Sequence, residues 1–98
     1  MRLGRRTKDP DANPTTFSAD WTAWLAKRGN DTIATSDWIV PTTPDTGMTR
    51  DSQTAGAQTT TFRCLGGTLG SVYEWINRIT TVGGLKEDGI LEVFITND

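Results

Sequence analysis

The chain has 98 residues, and at 35% hydrophobic composition it holds enough apolar material for one small domain with a single thin core. It contains no histidine and one cysteine, Cys64. That excludes a histidine general base, a Ser-His-Asp or Cys-His pair, a Cys/His zinc site and an internal disulfide. The formal net charge of −2 is unevenly spread: Arg2, Arg5, Arg6 and Lys8 make the first eight residues basic, while the other ninety carry six basic and twelve acidic residues.

Residues 1–8 have neither an apolar period nor an apolar run behind the arginines, so they read as a basic, flexible arm in front of a single domain over residues 9–98. Such an arm is either a solvated terminus or a contact to a neighbouring protein, and without interleaved aromatics it is a poor nucleic-acid binder. From Thr15 to Trp21, Phe17, Ala19 and Trp21 alternate with polar residues, the pattern of a half-buried strand. Asp20 then caps one helical turn over residues 20–26, with Trp21, Trp24 and Leu25 on one face and Gly29-Asn30 ending it.

Thr32 to Val40 is a second strand region whose phase changes. Ile33 sits on one parity and Trp38 and Val40 on the other, which calls for a bulge near Thr35-Ser36. Pro41, Pro44 and Asp45-Thr46-Gly47 mark a loop. Met48 to Asp51 reads as a short edge strand, and the small polar residues Ser52 to Ala57 as a mobile loop. Thr59 to Leu65 alternates with Phe62 and Cys64 inward. After Gly66-Gly67 and Gly70, Ser71 to Thr81 is the longest strand, with Tyr73, Trp75, Asn77 and Ile79 on one parity and Val72, Glu74, Ile76 and Arg78 on the other. Beyond the Val82-Gly83-Gly84 turn, the last strand places Leu91, Val93 and Ile95 on one face and Ile90, Glu92 and Phe94 on the other. Both faces are largely apolar, so this strand is either central in the fold or covered by a neighbour.

Eighteen threonines, ten glycines and six or seven short strands predict an all-β chain. The economical packing is an immunoglobulin-like antiparallel β-sandwich with one helical turn.

The constellations that suggest chemistry are weak. Asp9-Pro10-Asp11-Ala12-Asn13 starts like a calcium loop, but Pro14 stands where the sharp turn needs glycine. Gly66-Gly67-Thr68-Leu69-Gly70 lacks the Lys-Ser/Thr end of a phosphate cradle and precedes a strand. No cofactor, metal or catalytic residue is expected. With no eighteen-residue apolar run, no membrane span is expected either, and the chain is expected in the cytoplasm that made it. The candidate contact residues are Arg2, Arg5, Arg6 and Lys8 of the arm, the aromatic groups Trp24 and Trp38, and Ile90 and Phe94 on the second face of the last strand.

The ordered set Lys8-Asp9-Pro10-Asp11-Ala12, Asp20-Trp21 with Trp24-Leu25, Asp31-Thr32-Ile33, Trp38-Ile39-Val40, Gly66-Gly67-Thr68, Tyr73, Asn77-Arg78-Ile79-Thr80-Thr81 and Gly83-Gly84 resembles the phage fiber–tail adaptor family over residues 8–97. The resemblance implies a non-enzymatic, immunoglobulin-like virion protein used in several copies, joining the tail to a fiber or a neighbouring tail protein. Its location would be the virion tail after assembly in the host cytoplasm. Two other functions suit the same composition. A capsid decoration or cement protein would bind the shell through the basic arm, and a carbohydrate-binding β-module would stack sugars on exposed Trp24 and Trp38.

Overall fold

The computed structural model describes residues 1–97. Seven strands and one short helix follow in the order β1 (Arg2–Lys8), β2 (Thr15–Asp20), α1 (Thr22–Ala26), β3 (Ile33–Ile39), β4 (Met48–Ala55), β5 (Thr59–Gly66), β6 (Val72–Thr81) and β7 (Lys86–Ile95). They form two sheets, β1-β7-β6-β3 and β2-β5-β4. Without β1, the order β3-β6-β7 against β2-β5-β4 is that of strands C-F-G against B-E-D in immunoglobulin-type sandwiches. The first strand departs from that scheme, because it lies parallel to β7.

The core follows from the period-2 pattern. Phe17 and Ala19 of β2, Phe62 and Cys64 of β5, Tyr73, Trp75 and Ile79 of β6, and Leu91, Val93 and Ile95 of β7 all point between the sheets and are buried. Phe62 sits at the centre, with its ring 4.3 Å from Trp38, 4.5 Å from Trp75 and 5.8 Å from Phe17. Polar side chains lie among them, with Asn77 as the hub. The Asn77 Oδ1 accepts from the Trp21 indole N–H at 2.9 Å and from the Thr60 hydroxyl at 2.7 Å, and its Nδ2 donates to Ser36 Oγ at 2.8 Å and to the Asp37 carbonyl at 3.3 Å. This amide ties β6 to β3, to β5 and to the residue that opens the helix.

The break expected in the second strand region is present. The β3–β6 register shifts between Ile33 and Thr35, so Ile33 and Trp38 both reach the core despite opposite parity. The helical turn is present as well, with Asp20 one residue earlier than a capping position. Its Oδ1 accepts from Thr22 N at 2.9 Å and Thr22 Oγ1 at 2.5 Å, while Trp21 occupies the cap. These bonds hold the Asp20 carboxyl below its ordinary range.

Two expectations are corrected. Residues 1–8 are no loose arm: Arg2–Lys8 form β1, paired with β7 from Ile90 to Ile95 with a register irregularity between Arg2 and Gly4. Leu3 packs over Gly89, where a Cβ would come within 2.8 Å of Leu3 and 2.9 Å of Trp21. At the other end the buried Lys8 ammonium donates to the carbonyls of Gly66 (2.8 Å) and Asp9 (3.0 Å) and to Asn13 Oδ1 (3.1 Å). Likewise Ser52 to Ala55, expected in a loop, continue β4, which passes a register irregularity between Arg50 and Ser52. The side chains of β4 explain why this polar segment is ordered. Gln53 Oε1 accepts from Trp38 N at 2.8 Å, the Arg50 guanidinium donates to the Trp38 carbonyl, and both side chains donate to Asp37 Oδ1 at 3.2 Å. The outer edge of β3 is thereby bonded to a strand of the other sheet.

Candidate interaction surfaces

The described residues offer little for catalysis. Cys64 is buried, with its thiol pushed up to about 11 by desolvation and its Sγ 3.5 Å from the Thr15 carbonyl, so thiolate chemistry is suppressed. No cluster of three or more metal-ligating side chains occurs among the described residues. In the 9–13 segment, Asn13 Oδ1 accepts from Lys8 and from Gly66 N, and Asp9 Oδ1 accepts from Asp11 N, so these oxygens serve the turn. No helix among the described residues is long and apolar enough to cross a membrane.

The candidate contact residues divide into exposed and enclosed sets. Arg2, Arg5 and Arg6 are exposed along β1. Arg2 pairs with Glu92, Arg5 lies 5.3 Å from the centre of the Phe94 ring, and Arg6 donates to the Arg5 carbonyl at 3.1 Å. Lys8 is not available for contact: it is 3% exposed, and desolvation lowers its pKa against the pull of Cys64 and the nearby aspartates. Trp38 is also corrected. It is fully enclosed against Phe62, and its indole N–H has no partner. Trp24 is half-buried, edge-on to Trp21, with the Arg28 guanidinium 3.9 Å over its ring. Trp38 thus has no ring face free for sugar stacking, and a cation covers one face of Trp24.

Ile90 and Phe94 are half-buried on the outer face of the four-stranded sheet, and register places them in company. Phe94 is opposite Val72, and Ile90 opposite Ile76, which is in turn opposite Ile39 of β3. On the side away from the core an Ile39–Ile76–Ile90 row therefore runs across three strands, and a Val72–Phe94 pair lies farther along β6 and β7. Between them Glu74 stands directly opposite Glu92. Arg2 answers Glu92, whereas Glu74 is exposed and has no ion-pair partner among the described residues. Beside this pair a groove of about 330 Å³ is lined by Ile39, Val40, Thr42, Glu74 and Ile76. The face is bounded toward the β6–β7 turn by Arg78, which holds Asp88 through two bonds of 2.9 and 3.0 Å. The other sheet differs. Its outer face carries Thr16, Ser18, Thr54, Thr61 and an Arg63–Asp51 pair, with Ser18 and Thr61 hydrogen-bonded at 3.0 Å.

Residue alternation finds both faces of β6 and β7 separately. It does not find that Ile39, Ile76 and Ile90 share a row, because that depends on register between strands distant in sequence. The same holds for the opposed glutamates.

Two carboxylates brace the loop ends. Asp45 accepts from Tyr73 OH at 2.6 Å, from Gly47 N at 2.8 Å and from Thr68 Oγ1 at 3.0 Å, and these bonds hold its carboxyl below the ordinary range. At the opposite end Asp31 accepts from Thr32 N at 2.8 Å and Gly83 N at 3.2 Å; with the Thr81 hydroxyl as the main cause, its carboxyl is lowered in the same way.

Comparison with curated proteins returns no significant match. A protein-family comparison does. Residues 8–92 match the family described as podophage GP4 fiber-tail adaptor protein gp77, and only β1 up to Thr7 and the last residues lie outside the match. With most of its length matched, the chain belongs to this family of phage fiber–tail adaptor proteins.

Proposed function

We propose that the chain is a non-enzymatic structural component of a phage tail, which joins the tail to a fiber or neighbouring tail protein through contacts repeated around a symmetric assembly. The family supplies the role. The observation in the molecule that supports it is the asymmetry of the two outer sheet faces: one is threonine-rich and hydrogen-bonded, and the other carries uncovered apolar side chains, Ile90 and Phe94 among them. Contiguous apolar surface on a small soluble domain is the usual mark of a protein contact. Repetition by symmetry makes a modest contact firm, since each bound copy raises the effective concentration of the next. Arg5 and Arg6, exposed on β1, and the half-buried Trp24 beside Arg28 are the further candidates.

The site is the virion tail, with assembly in the host cytoplasm and no cofactor. Quantitative mass spectrometry of purified tails and capsids, with electron microscopy of particles lacking the gene, tests this. The expected result is a fixed copy number in tails and loss of fibers without the protein. Recovery with capsids instead would overturn the adaptor reading in favour of a decoration protein.

A further inference from the structure

The outer face of the β1-β7-β6-β3 sheet has an unusual composition, with two carboxylates opposed across neighbouring strands between an apolar row on one side and an apolar pair on the other. Like charges directly opposite in an antiparallel pair are destabilising. Arg2 relieves Glu92 only, and the sheet contributes no cation to Glu74. The groove beside Glu74 has apolar walls from Ile39, Val40 and Ile76.

We propose that this face is a docking surface for a partner protein segment that presents a lysine or arginine flanked by apolar side chains, with the cation meeting Glu74 and the apolar groups filling the Ile39–Ile76 groove. The inference rests on the adaptor reading and specifies the surface and the chemistry of the partner. Charge complementarity selects the occupant. The cations of the face itself are engaged, Arg2 with Glu92 and Arg5 over the Phe94 ring, which leaves Glu74 as the charge open to a partner's cation. A further aromatic-flanked cation of the chain, Arg28 on Trp24, is already tied to the Trp24 carbonyl at 2.9 Å. Size is adequate, for the molecule measures 41 × 21 × 21 Å and a side of that size suits a standard interface of about 800 Å² per partner.

The test uses a phage deleted for this gene and complemented with variants, reading the amount of the chain in purified tails alongside the melting of each purified variant. Reversing the charge with Glu74→Arg is expected to lower incorporation about tenfold or more, because like charges brought together across an interface are strongly unfavourable. Thr16→Arg, on the threonine-rich face, should stay within about twofold of wild type. Glu74→Thr separates docking from folding. Removing one opposed glutamate should raise the melting midpoint of the isolated chain by about 1–5 °C, while incorporation still falls.

Normal incorporation of Glu74→Arg with wild type present in tails would overturn the docking surface and leave the adaptor reading standing. Absence of the wild-type chain from tails would overturn both. A lowered melting midpoint for Glu74→Thr would make Glu74 structural and overturn the proposal. Suppressors of Glu74→Arg that change a lysine or arginine to an acid in another tail or fiber protein would support it. Suppressors confined to this chain would assign the face to a second copy and overturn the chosen occupant.

Discussion

Replacing Asn77 with alanine removes a fully buried side chain that joins both sheets through hydrogen bonds. Trp21 and Thr60 are both fully buried, so the indole N–H and the hydroxyl that now bond Asn77 Oδ1 lose their acceptor without access to water. A buried group left unsatisfied costs about 1–3 kcal/mol, so the two together cost about 2–6, centred near 4 kcal/mol. Ser36 adds less, because its bond is only partly buried. The assay is urea unfolding followed by the fluorescence of the four tryptophans. At a slope of about 2 kcal/mol per molar, the midpoint should fall by about 2 M with the slope unchanged. The pairing can be isolated with Trp21→Phe, which deletes the same bond from its other end. The double variant should then cost less than the sum of the single variants by about 0.5–3 kcal/mol. A loss under about 1 kcal/mol for Asn77→Ala, or strict additivity with Trp21→Phe, would refute the assignment of Asn77 as the polar hub of the core.

Other expected outcomes follow from the same packing. Phe62→Ala removes the ring that touches Trp38, Trp75 and Phe17 and should cost about 3–5 kcal/mol in the same unfolding assay. Deleting residues 1–8 should destabilise by about 2–4 kcal/mol, from loss of Leu3 packing and the Lys8 bonds; a truncated chain as stable as the whole would restore the flexible arm. Gly89→Ala pushes a Cβ into Leu3 and Trp21 and should cost about 1–3 kcal/mol, with Leu3→Ala recovering part of it. Asp31 and Asp45 have carboxyls lower in the folded chain than their ordinary value of 3.8, so the stability they contribute is complete above that pH and is lost as pH falls through the folded values. Unfolding midpoints measured downward from neutrality should therefore drop below pH 3.8, and Asp45→Asn should lessen that drop while being less stable at neutral pH.

What the sequence displays and what it conceals have physical causes. Strands β2 and β5 and most of β6 alternate apolar and polar residues because one side of each packs inward, β7 is apolar on both faces, and the same alternation exposes the phase slip in β3. Strand β1 has no such signal. Its residues are mostly charged or glycine, its partner strand begins some eighty residues later, and it is fixed by one leucine and by backbone bonds to β7. The second half of β4 is hidden for a related reason: Gln53 and Arg50 are ordered by what they bond on β3 and not by burial of apolar groups. Trp24 and Trp38 show the limit for individual residues. Composition marks tryptophan as either core or contact, and only the packing of Phe62 against Trp38 and of Arg28 against Trp24 separates their fates. The outer face with Ile90 and Phe94 was half legible, since β7 is flanked by β1 and β6 and still leaves its second face uncovered.

The side-chain bonds from Arg50 and Gln53 to the main chain of Trp38 have a consequence for the repeated use of the subunit proposed above. A bare sheet margin invites another chain to extend the ladder, and identical subunits crowded into one particle would do so readily. Here the margin of β3 is plugged near its C-terminal end, at Trp38, by groups from the same molecule. Extension of the ladder along β3 is thereby interrupted at Trp38.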